Sequence, residues 1–179
     1  MKVSRQQVAE NRRKILETAG KLFREKGFEA VSVADIMAGA GLTHGGFYGY
    51  FKSKDDLIAQ ALQETASSLT GGGLDDMAER YLSCAHKDNP GTGCAVAALG
   101  ADIARMPPEA RAAITEVLKS QIRNFAAVAK GETPQARRQA AIGAYAALVG
   151  GLTLARMSPD EALSREILEA TRAFVAAKP

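Results

Sequence analysis

Cysteine is scarce in this chain of 179 residues, which holds only Cys84 and Cys94. Two are too few for a disulfide scaffold, and a reducing compartment would keep both as thiols. Histidine is equally scarce, His44 and His86 being the only two. Sulfur and imidazole come together only in "CAHKDNPGTGC", where Cys84, His86, Asp88 and Cys94 stand in a spacing that fits no standard zinc arrangement. No second Cys/His pair exists to complete four ligands. No metal and no cofactor are therefore expected. Nucleophilic catalysis is disfavoured as well, because no orienting residue or oxyanion loop accompanies a Cys–His pair, and no catalytic residue is assigned. No segment alternates apolar and polar residues as a half-buried strand would. Internal repeats and low-complexity tracts are lacking too. The longest apolar run, "AAIGAYAALVGGLTLA", is interrupted by Tyr145 and glycines and is expected to be too short to span a bilayer. The start, "MKVSRQQVAENRRK", lacks the apolar core of a signal peptide, so a cytoplasmic location without membrane association is expected.

What is present is the composition of an ordinary globular protein, 46% hydrophobic and 24% charged. Every strong periodicity is helical, which predicts an all-α fold of about nine helices. The net charge of +3 is unevenly placed. Residues 1–54 carry ten Lys/Arg against five Asp/Glu, and residues 55–179 carry thirteen against fifteen. A basic N-terminal third is an electrostatic footprint for nucleic acid, although a solvated basic helix face gives the same charge count.

Local signals divide the chain. A first helix is expected from Val8 to Lys26, with Ile15, Ala19, Leu22 and Phe23 on its apolar face and Gly27 as its stop. "SVAD" is a capping box in which Ser32 and Asp35 open a short helix through Ala38. "GAG" makes a turn, and Thr43 is placed to cap the next short helix. "SKDDL" repeats the capping pattern with Ser53 and Asp56 and opens a helix expected to reach Leu69. Lys54 opposes the dipole of that helix, and is either solvated or placed to meet an anion. "TGGG", residues 70–73, is the clearest breaker. Beyond it, helices are expected over Leu74–Ala85, Cys94–Arg105, from "PPE" to Lys130, Gln135–Met157 and Pro159–Ala177, with "HKDNPGTG" as a polar turn.

Two short helices joined by a glycine turn, behind a longer basic helix, have the form of a helix-turn-helix. In "THGGFYGYFKSK", Phe47 and Phe51 are four apart and are expected to face the core. Tyr48 and Tyr50 are expected to point outward with hydroxyls for phosphate oxygens. Gly45 and Gly46 keep the surface low enough for a groove wall, while Gly49 has no assigned reason. The stretch "NRRKILETAGKLFREKGFEAVSVADIMAGAGLTHGGFYGYFKSKDDLIAQAL" resembles the DNA-binding domain of the TetR family of transcriptional regulators. The resemblance covers roughly residues 11–62. It implies base-facing roles for Thr43, His44 and Gly45, groove or phosphate contact for Tyr48, and phosphate contact for Tyr50 and Lys54. Ser32 and Val33 would then lie where the supporting helix approaches the DNA backbone. Tyr50 stands where the family usually has histidine, and Gly49 where many members have a large side chain.

The same resemblance implies a homodimer, a palindromic operator on double-stranded DNA, repression by default, and release by a small molecule. Residues 1–53 would form the DNA-binding domain and 54–179 the effector and dimerisation domain, with 54–69 as a connecting helix. Met77, Tyr81, Cys94, Met106, Phe125 and Tyr145 are the expected ligand lining, for an apolar or aromatic effector. Tyr145, Val149 and Leu152 with Leu163, Ile167, Ala170 and Phe174 are the expected dimer interface. Cys94 follows "GTG" at a helix start, where the dipole favours thiolate, a setting for sensing an oxidant or electrophile; a small buried residue beside Ala95 and Ala97 is the plainer reading. A helical small-molecule enzyme or cysteine-based redox protein is the alternative class.

Overall fold

The computed structural model describes residues 4–64 and 71–177, and among these there are nine α-helices, two short 3-10 helices and no strand. The all-α expectation holds. The first helix, α1 (Arg5–Lys26), is capped by Ser4 and ends where Gly27 takes φ 80°, its N–H donating to the Phe23 carbonyl at 2.7 Å. Only glycine adopts that backbone without strain. Helix α2 (Val33–Gly39) opens with the predicted capping box: Ser32 Oγ accepts from Asp35 N–H, and the Asp35 carboxylate accepts from Ser32 N–H at 2.9 Å. Gly41, at φ 71°, makes the turn that follows.

His44–Gly49 form a 3-10 helix rather than an α-helix, and the Thr43 side chain makes no capping hydrogen bond. Three glycines in six residues give an α-helix little support, and the segment closes instead through i to i+3 bonds such as Tyr50 N–H to Phe47 O at 2.9 Å. Helix α3 (Lys54–Glu64) is capped as predicted by Ser53, which accepts from Asp56 N–H at 3.1 Å. The Asp56 carboxylate reaches back to Lys52 N–H rather than to Ser53, and that bond holds its pKa below the usual carboxylate range. The predicted helix end near Leu69 lies outside the described residues.

The helix expected over Leu74–Ala85 is two helices, α4 (Leu74–Tyr81) and α5 (Cys84–Asp88). Ser83 makes the break, accepting from His86 N–H and donating to Arg80 O, so a local side chain replaces the continuing ladder. His86 to Asp88 are thus helical, not part of a turn, and a 3-10 helix (Pro90–Thr92) follows. Then come α6 (Ala95–Arg105), α7 (Pro108–Val128), α8 (Pro134–Met157) and α9 (Glu161–Ala176). Helix α8 corrects the bilayer expectation, since its 24 residues are long and apolar enough to cross a membrane by length and composition. Within the fold, its Ala141, Tyr145, Leu148, Leu152 and Ala155 are buried against neighbouring helices.

Two buried clusters hold the helices together. The first joins Ile15, Phe23, Phe28, Ile36, Phe47, Phe51 and Leu57 to Leu99 and Ile103 of α6 and Ile114 and Val117 of α7. The N-terminal helices therefore share a core with the middle of the chain, which fixes the platform under the recognition segment. The second gathers Met77, Tyr81, Phe125, Tyr145, Leu148, Leu152, Leu168 and Val175. Burial of such side chains contributes about 1.5–3 kcal/mol each.

Candidate nucleic-acid interface and effector cluster

The recognition segment is anchored from below and open above. Phe47 and Phe51 are buried in the first core with ring centroids 5.8 Å apart. Thr43, His44, Gly45, Tyr48 and Gly49 are all exposed, and Tyr48 stands out at 73% exposure with its ring edge-on to Phe47. Cβ atoms added at Gly45 or Gly49 would meet nothing within 4 Å, and at Gly46 only ordinary contacts. None of the three has a positive φ. Nothing inside the chain requires glycine at these positions.

Two predicted contacts are placed differently from expectation. Tyr50 does not simply point outward: it is half-buried against the first core, and its hydroxyl accepts from Asn11 Nδ2 at 3.0 Å, leaving its own O–H as a donor. Asn11 is oriented in turn by Gln7, one helical turn earlier. Lys54 donates to the Phe28 carbonyl at 2.5 Å and so ties the start of α3 to the turn after α1. That explains the cation in the first turn of a helix, a reason neither solvation nor an anion had supplied. At α2, Val33 is half-buried, and Ser32 is exposed but engaged with Asp35, whose carboxyl those hydrogen bonds hold below its ordinary pKa. Three basic residues of α1 are also partnered: Arg12 lies over the Phe51 ring and donates to Gln60, Arg13 pairs with Glu17, and Lys14 with Glu10. Such exposed pairs add little stability.

Of the six expected ligand residues, Met77, Tyr81, Phe125 and Tyr145 meet in the second core, with Cys94 packed against them. Met106 does not join them; it packs on the first core, at a cavity of about 290 Å³ between the turn after α1 and the end of α6. The cluster also has a polar part that helical spacing does not reveal. His86 Nδ1 lies 2.6 Å from Tyr81 O, and its Nε2 accepts from Cys94 N–H at 3.0 Å. Since Nε2 is the acceptor, the proton sits on Nδ1 and the ring is neutral. Burial, aided by Arg156, lowers its pKa against the opposing effect of the Tyr81 carbonyl. Arg156 donates to the carbonyls of His86 and Lys87 at 2.6 and 3.1 Å, and desolvation lowers its pKa. Burial and the nearby Cys94 push the Tyr81 and Tyr145 hydroxyls well above the ordinary tyrosine range, so both stay protonated.

One bond joins this cluster to the recognition platform. Arg24 of α1 donates to Gly91 O at 2.7 Å, three residues before Cys94. On the other side of the same loop, a Cβ at Gly93 would lie 2.6 Å from the His86 ring and 3.1 Å from Arg156.

The expected dimer face is also corrected in part. Tyr145 and Leu152 are buried inside the second core, and Val149 and Ile167 are half-buried on it. The apolar side chains left exposed on α8 and α9 are Ile142, Leu154, Met157, Leu163 and Phe174, with Ala170 between the last two. Leu163 and Phe174 are three turns apart on one face of α9. Amphipathic spacing marked the stripe, but it does not tell which apolar residues face the chain's own core.

An exposed segment on a buried aromatic anchor, preceded by a supporting helix and a glycine turn, defines a helix-turn-helix protein. Residues 15–61 match the family model described as "Bacterial regulatory proteins, tetR family". That match covers the helix-turn-helix segment of the chain. The chain is 33% identical over 66 residues to the HTH-type transcriptional regulator AcrR of Shigella flexneri, a match covering 37% of this chain and 31% of that protein. It is 39% identical over 57 residues to the HTH-type transcriptional repressor KstR2 of Mycobacterium tuberculosis, covering 32% and 28% respectively. These matches thus span less than a third of the curated relatives. Over nearly the whole chain, the fold resembles the crystal structure of a TetR transcriptional regulator from Chloroflexus aurantiacus, with TM-score 0.75, 19% identity, and coverage of 97% of this chain and 98% of that one. These relatives are regulators, and none supports the alternative of a helical enzyme.

Proposed function

We propose that this chain is a ligand-responsive transcriptional repressor that binds a palindromic operator as a homodimer and is released by a small molecule. The observation that carries the reading is the exposed strip from Thr43 to Gly49 held on buried Phe47 and Phe51. Thr43, His44 and Gly45 face base edges in the major groove, and Tyr48 contacts the groove wall or phosphate. Tyr50, steadied by Asn11, donates to phosphate, and Lys54, Ser32 and Val33 line the approach to the backbone. Residues 1–53 serve DNA and 54–179 serve the effector and the partner copy. Two copies pair through the exposed apolar residues of α8 and α9, because twofold symmetry of the protein matches an inverted-repeat site. The effector is an apolar or aromatic molecule entering the second core, and the Arg24–Gly91 bond is the route by which its arrival displaces α1.

Selection of bound sequences from random DNA, followed by gel shifts across a salt series, tests the reading. A palindromic consensus and affinity that falls with salt are expected. Tyr48→Ala should weaken that binding by about 10- to 100-fold, the equivalent of roughly 1–3 kcal/mol, with unchanged unfolding. Recovery of no consensus would overturn the proposal.

A further inference from the structure

His86 closes the loop between α5 and α6 only while its ring is neutral. Its Nδ1–H donates to Tyr81 O at 2.6 Å, and its Nε2 accepts from Cys94 N–H at 3.0 Å. A proton on Nε2 would set one N–H against another, and that bond would be lost. The ring has no room to turn away, because it stands edge-on to the Tyr81 ring with centroids 4.7 Å apart, and a Cβ at Gly93 would lie 2.6 Å from it. The charge is as unwelcome as the proton. Arg156 of α8 holds its guanidinium beside His86 by donating to the carbonyls of His86 and Lys87. Tyr81 of α4 and Cys94 at the head of α6 are the other titratable residues against the ring, Tyr145 of α8 faces the Cys94 sulfur, and Pro90–Thr92 bring none. On α5 itself Cys84 is exposed, while Lys87 adds a second cation and engages Asp88 and, from α9, Glu161 at 3.0 and 3.1 Å. Among the described residues no carboxylate pairs with His86 or Arg156. Burial, with Arg156, accordingly holds the His86 pKa below its ordinary value.

The same loop grips the DNA-binding half. Cys94 is the N-cap of α6, whose Leu99 and Ile103 lie in the first core with Phe47 and Phe51. Gly91 is buried, its carbonyl accepts from Arg24 Nε of α1 at 2.7 Å, and Glu25 of α1 leaves no space for a Cβ there. We propose that His86 is a pH switch for DNA binding: a proton taken from solvent on Nε2 releases Cys94 N–H, loosens residues 91–94 and moves α1 through Arg24. The inference rests on the repressor reading of the recognition segment. The chain that binds DNA keeps His86 neutral, so the complex holds fewer protons than the free chain. Operator affinity is therefore full above the His86 pKa of the free chain and declines as pH falls through it. His44 acts with the opposite sign, since a proton there brings positive charge to the strip that meets DNA.

The test measures operator affinity of the full chain by fluorescence anisotropy at pH 7.5 and 5.0 and constant salt, on an operator obtained by selection. His86→Gln is compared with the parent, so that His44 contributes equally to both. Between the two pH values the parent should lose about tenfold more affinity than His86→Gln, which requires the His86 pKa to be at least about one unit lower in the complex. Arg24→Gln keeps the imidazole but cuts the tie to α1; it should lose the same pH response, and it serves if His86→Gln does not fold. NMR of the free chain supplies a readout without DNA: the Gly91 amide and the Arg24 Nε–H should shift with the midpoint of the His86 ring. Equal pH responses of the parent and both variants, or an Arg24 signal that ignores the His86 titration, would refute the switch. If the parent binds no operator at either pH, the repressor reading fails, and the Arg24 signal still decides whether the proton on His86 reaches α1.

Discussion

Glycine serves opposite ends in two regions of this protein. In the recognition segment, Gly45 and Gly49 face open space, so the chain itself gains nothing from their missing side chains. In the loop before Cys94, Gly93 is closed in by the His86 ring and Arg156, and only hydrogen fits there. One set leaves room for something outside the molecule, the other for the molecule's own packing. The distinction separates a surface that the chain's own packing does not shape from an interior that it does, and substitutions should divide along it.

The largest effect should come from Gly93→Ala. Its Cβ would collide with an imidazole fixed by two hydrogen bonds, and overpacking of this kind costs about 1–3 kcal/mol, readable as a lower melting temperature. Next is Gly45→Ala, with the opposite pattern. It should leave stability unchanged or raise it by up to about 1 kcal/mol, yet lower operator affinity about tenfold, or roughly 1.4 kcal/mol. If Gly45→Ala bound DNA as the parent does, the contrast between the regions would collapse.

A smaller effect follows from His86. Burial keeps its folded pKa below the ordinary value near 6.5, so below that value the unfolded chain binds the proton more readily. Stability is therefore complete above about pH 6.5 and declines as pH falls from there through the folded value. Urea titrations at pH 7.5 and 5.5 should differ for the parent and differ less for His86→Gln. The smallest is Gly49→Ala. Its stability should stay within about 0.5 kcal/mol of the parent, while selected DNA sequences change at a single position of each half-site.

Several features were legible because they are local. The Ser32–Asp35 capping box joins residues three apart, and the Phe47–Phe51 spacing of four puts both rings on one face, so short-range geometry alone decides them. The break between α4 and α5 was legible in principle through Ser83, yet the apolar spacing across it reads as one helix. Thr43 has the right chemistry for a cap, but the glycines after it favour a tighter 3-10 turn. Lys54 could not be understood locally, because its partner carbonyl on Phe28 is 26 residues earlier. Tyr145 suits both a ligand lining and a dimer face by its spacing, and burial keeps it in the second core.

By itself, the sequence determined the helical class, the basic N-terminal third, the caps and turns of the helix-turn-helix, and the aromatic anchor of its recognition segment. The caps, the turns and the anchor each depend on residues within a turn or two of one another. Only the tertiary structure decided that Tyr81, His86, Cys94, Tyr145 and Arg156 form one cluster, and that Arg24 reaches Gly91 across 67 residues. Periodicity tells which face of a helix is apolar; which helix comes to lie against that face depends on how the whole set of helices fills space together.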